Sequence, residues 1–254
     1  MKRSTVMSII GSVALFGGAL QAQGKPGLGL LPFTNIATGM RYAVMEGSTR
    51  AATSKEETVH HGGESVTYEE MVESVKRDPE SVDFREFRMA YSRSAMYDPY
   101  PPHSYINEIE RLLIDEDVNG HGKALQLIQE RLERRYADVE VHNYAALVYD
   151  RLGRTAERDH HLLCWHRIIG SILSPGIGKE DGATYATAWR VVLTMEEYAV
   201  MEVLDFVPES QELNEVDGHR YDVFEVKDAT TGQPGRLHFN VDPLMAWSGW
   251  RAKE

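Results

Sequence analysis

The stretch EVHNYAALVYDRLG (residues 140–153) decides the fold, because its residues have the spacing of a packed helix followed by a turn. Ala145 and Ala146 form a small-residue pair where a second helix can approach closely, and Tyr149 follows about one turn later. Gly153 ends the pattern, as glycine commonly does after the last helical turn. The stretch therefore predicts one helix of an antiparallel helix hairpin.

The neighbouring sequence places this helix in a repeat register. Tetratricopeptide repeats are helix hairpins with a period of about 34 residues. With Ala124 as the small packing residue of the preceding helix, about one and a half repeat units stay in phase. The matching positions are His142, Ala145, Ala146, Tyr149 and Gly153. Tyr136 and Arg158 depart from the pattern, and fewer than three repeats need another element to cover the end of the stack.

Amphipathic helical segments with short connections flank this stretch on both sides. The first begins at Thr67, whose spacing to Glu70 is that of a capping box. The breaker YDPYPP (residues 97–102) ends the second. The flanking segments are TYEEMVESV, DFREFRMAYSRS, YINEIERLLI, GKALQLIQERLERRY and TAERDHHLLCWHRIIGSIL. Their short connections predict antiparallel hairpins.

The C-terminal third has the alternating pattern of strands. ATAWRVVL (residues 186–193) alternates, and Thr194 and Glu197 then have the spacing of a second capping box. The segments SQELNEV, HRYDVFEV and RLHFNVD follow, separated by the turn Asp217–Gly218 and the loop DATTGQPG. We therefore predict an α+β fold in which tetratricopeptide-like antiparallel helix hairpins precede a small antiparallel β-sheet with one intervening helix.

The first residues have the pattern of an export signal. Lys2 and Arg3 precede an apolar run, and small residues surround Ala22, where a signal peptidase would cut. A retained membrane anchor is the alternative. The expected divisions are a signal peptide at 1–22, a flexible leader at 23–65 and a single α+β domain at 66–254, with a helical lobe at 66–173 and a sheet lobe at 183–243. We expect a periplasmic or extracellular protein.

The net charge disfavours nucleic acid and anionic lipids as partners, and the cysteine content excludes an intramolecular disulfide. The formal net charge of −12 repels nucleic acid and anionic lipid headgroups. We therefore expect a protein or peptide partner, no nucleic acid, and no stable membrane insertion after signal cleavage. Cys164 is the only cysteine, so no intramolecular disulfide can form.

Several motifs occur in an order typical of one family. They are FREFRMAY, YDPY, AALVYDRLG, SILSPGIGKEDGATYATAW, EEYAVMEVL and GHRYDVFEVKDATTGQPGRLHFNVD. Over residues 84–250 the chain resembles a group of bacterial secreted proteins described as a domain of unknown function. The resemblance implies a helical-repeat lobe joined to a small sheet. It implies no activity, because that family carries none that is established.

The motif DxDxNG matches the opening of a calcium-binding loop. Asp115, Asp117 and Asn119 occupy oxygen-ligand positions, and Gly120 occupies the glycine position. The twelfth position is Gln126, which lacks the bidentate carboxylate that tight binding requires. We expect a solvated turn rather than a metal site, with weak calcium binding as the alternative.

Other groups have residue types used in catalysis, but their spacing favours structural roles. His160 and Cys164 stand four residues apart, as metal ligands can, yet they lie in an apolar stretch and predict a packed helix face. Glu196 and Glu197 are adjacent, so they point in different directions on a helix. The loop from Ser174 to Gly182 lacks the glycine spacing of a phosphate loop. No catalytic residue, metal or cofactor is predicted.

Four tyrosines are the candidate binding residues, although core packing and loop anchoring are favoured over ligand contact as their role. They are Tyr91, Tyr97, Tyr100 and Tyr105. The favoured function is a non-catalytic protein- or peptide-binding module that uses the helical-repeat surface. The alternative is a hydrolase or metal-dependent enzyme with a site between the helical and sheet lobes. Clustered, strongly shifted pKa values between the lobes would favour the enzyme.

Overall fold

The computed structural model describes residues 66–100, 104–114, 118–173 and 180–247, and the predicted signal peptide and leader lie outside them. In the described ranges the chain forms eight helices and a four-stranded sheet, which confirms the α+β class. The helices are α1 (Tyr68–Arg77), α2 (Phe84–Arg93), α3 (Ser104–Ile114), α4 (Val118–Leu132), α5 (Val139–Arg151), α6 (Thr155–Leu173), α7 (Thr194–Val203) and α8 (Asp242–Met245). The strands are β1 (Trp189–Arg190), β2 (Phe206–Val216), β3 (His219–Asp228) and β4 (Pro234–Asn240).

Local side-chain and backbone bonds fix where several helices begin and end. The capping box at α1 is confirmed, because the Glu70 amide donates to Thr67 Oγ1 at 3.2 Å and the Thr67 amide donates to Glu70 Oε2 at 2.8 Å. Gly153 ends α5 at φ 70°, a left-handed conformation that suits glycine. The Arg154 amide then donates to the Tyr149 carbonyl at 2.8 Å, closing the helix end. The predicted turn glycine is confirmed.

Consecutive helices pack as antiparallel pairs. In the first pair, Tyr105 near the start of α3 donates its hydroxyl to the Leu127 carbonyl on α4 at 3.1 Å. In the second pair, α5 and α6 place His142 against His161, with 2.9 Å between their Nδ1 atoms. Helix α4 also packs on α5, and α7 packs on both α5 and α6. Helix α2 packs on α6, so the packing does not follow the order of the chain throughout.

The sheet has the strand order β1-β4-β3-β2. The predicted meander is confirmed for β2, β3 and β4, which pair antiparallel. Its tight turn uses Asp217 at φ 52° and Gly218 at φ 82°, as a type I′ hairpin requires. The sheet is mixed, however, because β1 pairs parallel to β4 with Trp189 opposite Phe239. Of residues 186–193, only Trp189 and Arg190 join the sheet, so that predicted strand is much shorter than expected.

One face of the sheet completes the helical core. Phe224 and Val226 of β3 and Leu237 and Phe239 of β4 belong to the same buried cluster as the helices. The other face holds a smaller cluster around Tyr221 and Val223, packed by Tyr185. The sheet thus follows the helices in sequence and packs against α7 in space. None of the helices in the described ranges combines the length and apolar character needed to cross a bilayer.

The start of α7 differs from the prediction. Leu193 occupies the N-cap position without a side-chain cap bond, so the capping box expected from Thr194 and Glu197 is wrong. Thr194 Oγ1 instead donates to the Pro99 carbonyl at 3.3 Å. Glu197 is buried against the sheet, where Asp222 is its partner. Tertiary burial therefore overrides the local spacing.

Candidate functional site

The four predicted tyrosines divide into a buried pair and two half-buried residues. Tyr91 and Tyr97 pack edge to face with 5.4 Å between ring centroids, and both are buried. The Tyr97 hydroxyl donates to the Val192 carbonyl at 2.8 Å. Tyr100 lies beside Trp247, with 5.9 Å between ring centroids, whereas Tyr105 lies on α3. The structure thus brings two of the four together, and ligand contact by the set stays a prediction.

Tyr144, which is not one of the four predicted tyrosines, connects two helices through a side-chain hydrogen bond. The Tyr144 hydroxyl on α5 donates to Glu110 Oε1 on α3 at 2.6 Å. Burial, this hydrogen bond and the charge of Glu110 raise the pKa of the Tyr144 phenol. The charges of Glu140 and Glu202 raise that pKa further. We call these four residues, Glu110, Glu140, Tyr144 and Glu202, the acidic face.

Two carboxyl groups of the acidic face have raised pKa values. Burial, with repulsion from Asp138 and Glu110, raises the pKa of Glu140 to about 8. The Glu202 side chain is exposed. Partial desolvation of its carboxylate by the surrounding protein raises the pKa of Glu202. A nearby cation would relieve the repulsion between these carboxylates, so the acidic face is chemically suited to a basic group.

Sequence reasoning missed the acidic face, although one signal was present. Glu140 and Tyr144 are one turn apart on α5, within the stretch that decides the fold. In a stack of helix hairpins, alternate helices line a common face, so residues on α3, α5 and α7 could have been compared. Glu110 and Glu202 carry no local pattern that marks them.

Two adjacent glutamates of α7 have different roles, as their predicted divergence implies. Glu196 accepts from Arg88 Nε at 2.7 Å and from Arg88 Nη2 at 2.6 Å, forming a buried ion pair with α2. Glu197 instead forms a hydrogen bond with Asp222 of β3. Burial and the neighbouring negative charge raise the pKa of Glu197 well above its ordinary value. This direction favours a protonated Glu197 beside Asp222, and Gln211 Nε2 donates to Asp222 Oδ2 at 2.8 Å.

The histidine and cysteine cluster lies between α5, α6 and the turn before α5. Cys164 is buried as predicted, with its Sγ 3.6 Å from His160 Nε2. Burial raises the pKa of the Cys164 thiol to about 12, so the reactive thiolate is suppressed. His142 is held neutral, because burial lowers its pKa to about 4. Within the described ranges, no group of three or more histidine, cysteine, aspartate or glutamate residues could hold a metal ion.

The described part of the calcium-like motif is helical. Helix α4 begins at Val118, so Asn119 and Gly120 lie in its first turn rather than in an open loop. A Cβ atom at Gly120 would approach the Leu112 carbonyl oxygen to 2.6 Å, so this glycine permits close packing of α4 on α3. Asp115 and Asp117 lie outside the described residues. Helical geometry from Val118 onward differs from the twelve-position calcium loop.

The loop from Ser174 to Gly182 is described only from Glu180, the preceding residues lying outside the described ranges. Glu180 forms an ion pair with Arg85 of α2, and its carbonyl accepts from Trp189 Nε1 at 3.1 Å. Gly182 has φ 70° and lies directly against the Trp189 ring, where a side chain would not fit. The described end of the loop is thus anchored to both lobes.

The comparisons with known proteins identify a family but no characterised relative. No curated protein and no solved structure matches the chain. A family model covers residues 56–248, which is well over half of the chain and includes the acidic face, the Glu197–Asp222 pair and the whole sheet. The chain therefore belongs to the family described as domain of unknown function DUF4919.

Proposed function

We propose that the protein is an exported binding module that holds a basic segment of a protein or peptide against the acidic face. The observation that carries the proposal is the Tyr144–Glu110 hydrogen bond, around which the carboxylates of Glu140 and Glu202 gather. These groups come from α3, α5 and α7, so three separate helices contribute to one surface. Repulsion from Glu110 raises the pKa of Glu140, so the like charges are unfavourable to each other in the free protein.

The helix order supports a tetratricopeptide-like interpretation of this surface. In stacked hairpins the first helix of each unit lines one face, and that face remains open to ligands. On this interpretation α3 and α5 are first helices, α4 and α6 are their partners, and α7 begins a third unit. The sheet then takes the place of the missing last helix, because β2 packs on α7.

Electrostatics favour a basic ligand over a neutral or acidic one. In the free protein the raised pKa of Glu140, about 8, keeps much of this carboxyl protonated at neutral pH. A lysine or arginine side chain placed beside it would stabilise the ionised form and make a charge-assisted hydrogen bond. The net charge of −12 would also attract a basic partner at long range.

The predicted tyrosines are proposed to act at the edge of the same surface. Tyr105 lies on α3 with Glu110, and the charge of Glu140 contributes to the raised pKa of its phenol. Tyr100 is the other half-buried member, and Tyr91 and Tyr97 support the loop that carries it. Aromatic rings beside carboxylates suit the long apolar stem of a lysine or arginine.

Export belongs to the proposal because the sequence supports it. Lys2 and Arg3, the apolar run after them and the small residues near Ala22 form the pattern of a cleaved signal. N-terminal sequencing of the protein from the periplasm or medium tests this part. An intact Met1 on a cytoplasmic protein would contradict it.

Peptide binding can be measured by fluorescence anisotropy. A labelled peptide of alternating lysine and alanine should bind the wild type, and a glutamate-alanine peptide of equal length should not. Glu140→Gln and Glu202→Gln should each weaken binding of the lysine peptide about threefold to tenfold, since each removes one charge-assisted contact. Glu133→Gln is the matched control, because Glu133 is an exposed glutamate in the turn after α4 and does not belong to the acidic face. Equal affinity in all four proteins would contradict the proposal.

The Glu197–Asp222 pair favours a second candidate, a hydrolase with a site between the helices and the sheet. Two carboxyl groups that share one proton can act as acid and base. Glu197 Oε1 is buried and accepts no hydrogen bond from an N–H or hydroxyl group in the described structure. A panel of chromogenic ester, phosphoester and glycoside substrates tests this candidate. Turnover that is lost in Asp222→Asn would support it, whereas no turnover of any substrate would oppose it.

A further inference from the structure

Strand β2 forms one edge of the sheet. It is the last strand in the order β1-β4-β3-β2, so within the described ranges no further strand pairs with its outer side. The strand is 11 residues long, and residues 209–213 are exposed in succession. A long exposed edge strand is a template for the main chain of another segment, and proteins normally protect such edges.

The pairing of β3 identifies which backbone groups of β2 point outward. The amide of Val241, directly after β4, donates to the Arg220 carbonyl at 2.9 Å, so the even-numbered residues of β3 direct their backbone groups toward β4. The β2 residues opposite them therefore direct their own amides and carbonyls away from β3. From Ser210 onward, these outward residues are Gln211, Leu213 and Glu215. Their outward groups have no backbone partner among the described residues.

Two features protect the first part of this edge. Pro208 lies opposite Val226, so its nitrogen is on the outer side and has no hydrogen to donate. The register of β2 then shifts between Pro208 and Ser210, as it does at a β-bulge. From Ser210 to Val216 the pairing with β3 is regular. The unprotected part of the edge therefore runs from Ser210 to Val216.

The side chains of β2 are apolar and acidic. In the described part of the chain, three large apolar side chains are exposed, and two of them, Val207 and Leu213, lie on β2. The charged residues of the strand are all glutamates, namely Glu209, Glu212 and Glu215. A second copy of the chain that paired edge to edge would bring these like charges together. A strand with lysine or arginine at alternate positions complements them instead.

We propose that the outer edge of β2 from Ser210 to Val216 pairs with an extended basic segment of a partner polypeptide, which adds a strand to the sheet. Main-chain hydrogen bonds to Gln211, Leu213 and Glu215 hold the segment. Its alternate side chains contact Leu213 on one face of the sheet and Glu212 on the other. This surface goes beyond the proposed function, since no residue of the acidic face belongs to β2.

Amide hydrogen exchange of the full-length protein, followed by nuclear magnetic resonance, tests the added strand. The probe is a short blocked peptide of alternating lysine and valine, and a glutamate-valine peptide of equal length is the charge control. The outward amides of Gln211, Leu213 and Glu215 should exchange faster than those of Glu212 and Asn214, which bond to β3. Only the lysine-valine peptide should protect them. Because these amides report the edge alone, binding at the acidic face does not enter the measurement.

Two variants test the backbone and the charge of the edge separately, with affinity measured from the shifts of the edge amides. Leu213→Pro removes one outward amide but no hydrogen bond to β3, as Pro208 already does in this strand. It should weaken binding of the lysine-valine peptide about tenfold or more. Glu212→Lys should weaken it about threefold to tenfold. Glu133→Lys is the control, because it makes the same charge change at an exposed position outside the sheet.

Protection of the three amides by the lysine-valine peptide, lost in Leu213→Pro, would support the proposal. Unchanged exchange of these amides, equal binding of both peptides, or equal affinity of Leu213→Pro and the wild type would overturn it. Analytical ultracentrifugation covers the remaining occupant. A wild-type dimer that Leu213→Pro abolishes would assign the edge to a second copy of the chain and would also overturn the proposal.

Discussion

Arg88 of α2 and Glu196 of α7 form a buried ion pair in which each side chain is almost fully excluded from solvent, at 3% and 0% exposure. Glu196 Oε2 also accepts from the Val192 amide at 2.7 Å, and Arg88 Nη2 donates to the Arg190 carbonyl at 2.9 Å. The pair therefore ties α2 to the segment that connects β1 with α7. Because both charges are desolvated, the pair is costly to break from one side.

Removing the arginine should destabilise the protein strongly. Arg88→Met leaves the buried Glu196 carboxylate without a counterion, and we expect a loss of about 3 to 5 kcal/mol in the free energy of unfolding. Arg85→Met is the matched control on the same helix. Arg85 pairs with Glu180 but is 42% exposed, so its loss should cost less than about 1 kcal/mol. Urea unfolding measures both, and equal losses would contradict this account of Arg88.

The small-residue pair on α5 should not tolerate a larger side chain. Ala145 and Ala146 are both fully buried. Ala146→Leu should overpack the helix contact and cost about 1 to 3 kcal/mol. Thermal melts compare the variant with the wild type, and an unchanged melting temperature would mean that Ala146 faces unfilled space.

Gly120 should be required for the contact between α3 and α4. Gly120→Ala places a Cβ atom 2.6 Å from the Leu112 carbonyl oxygen, so the two helix backbones must separate. Gly122→Ala is the control, because a Cβ atom there meets nothing within 4 Å and alanine favours the helix. Gly120→Ala should lower the melting temperature and Gly122→Ala should maintain or raise it. The reverse order would contradict the close approach.

The Glu197–Asp222 pair should make stability fall as pH rises. The folded state holds the Glu197 proton more tightly than the unfolded chain, because burial and Asp222 raise the pKa of Glu197 above its ordinary 4.5. Its contribution is complete below pH 4.5 and is lost as pH rises through the folded pKa. Glu197→Gln should reduce this decline on the alkaline side, as measured by urea unfolding across pH. An unchanged slope would show that both carboxyl groups are already ionised.

Local chemistry explains why much of the fold could be predicted. Thr67 and Glu70 needed only each other to define a helix start, and Asp217 with Gly218 needed only their own backbone preferences to define a hairpin. The parallel pairing of β1 with β4 could not be predicted this way, because it joins segments about fifty residues apart in the sequence. Only two residues of β1 take part in this pairing. Short strands carry too little pattern to specify a partner.

The candidate site was harder to predict for a related reason. Glu110, Glu140 and Glu202 belong to three different helices, and each one alone is typical of a solvated helix face. Only their convergence on Tyr144 distinguishes them. For Glu197 the sequence predicted a local role that the structure does not show. Its spacing from Thr194 matches a capping box, but Glu197 is buried beside Asp222 instead.

Proton release on peptide binding tests the acidic face most directly. In the free protein Glu140 has a pKa of about 8, and a bound lysine side chain should lower it, so binding near neutral pH should release protons. Calorimetry of the lysine peptide in two buffers with different heats of ionisation measures the number released. We predict net proton release by the wild type and little or none by Glu140→Gln. Tight binding without proton release, or release that Glu140→Gln leaves unchanged, would contradict the central claim that the acidic face binds a basic segment.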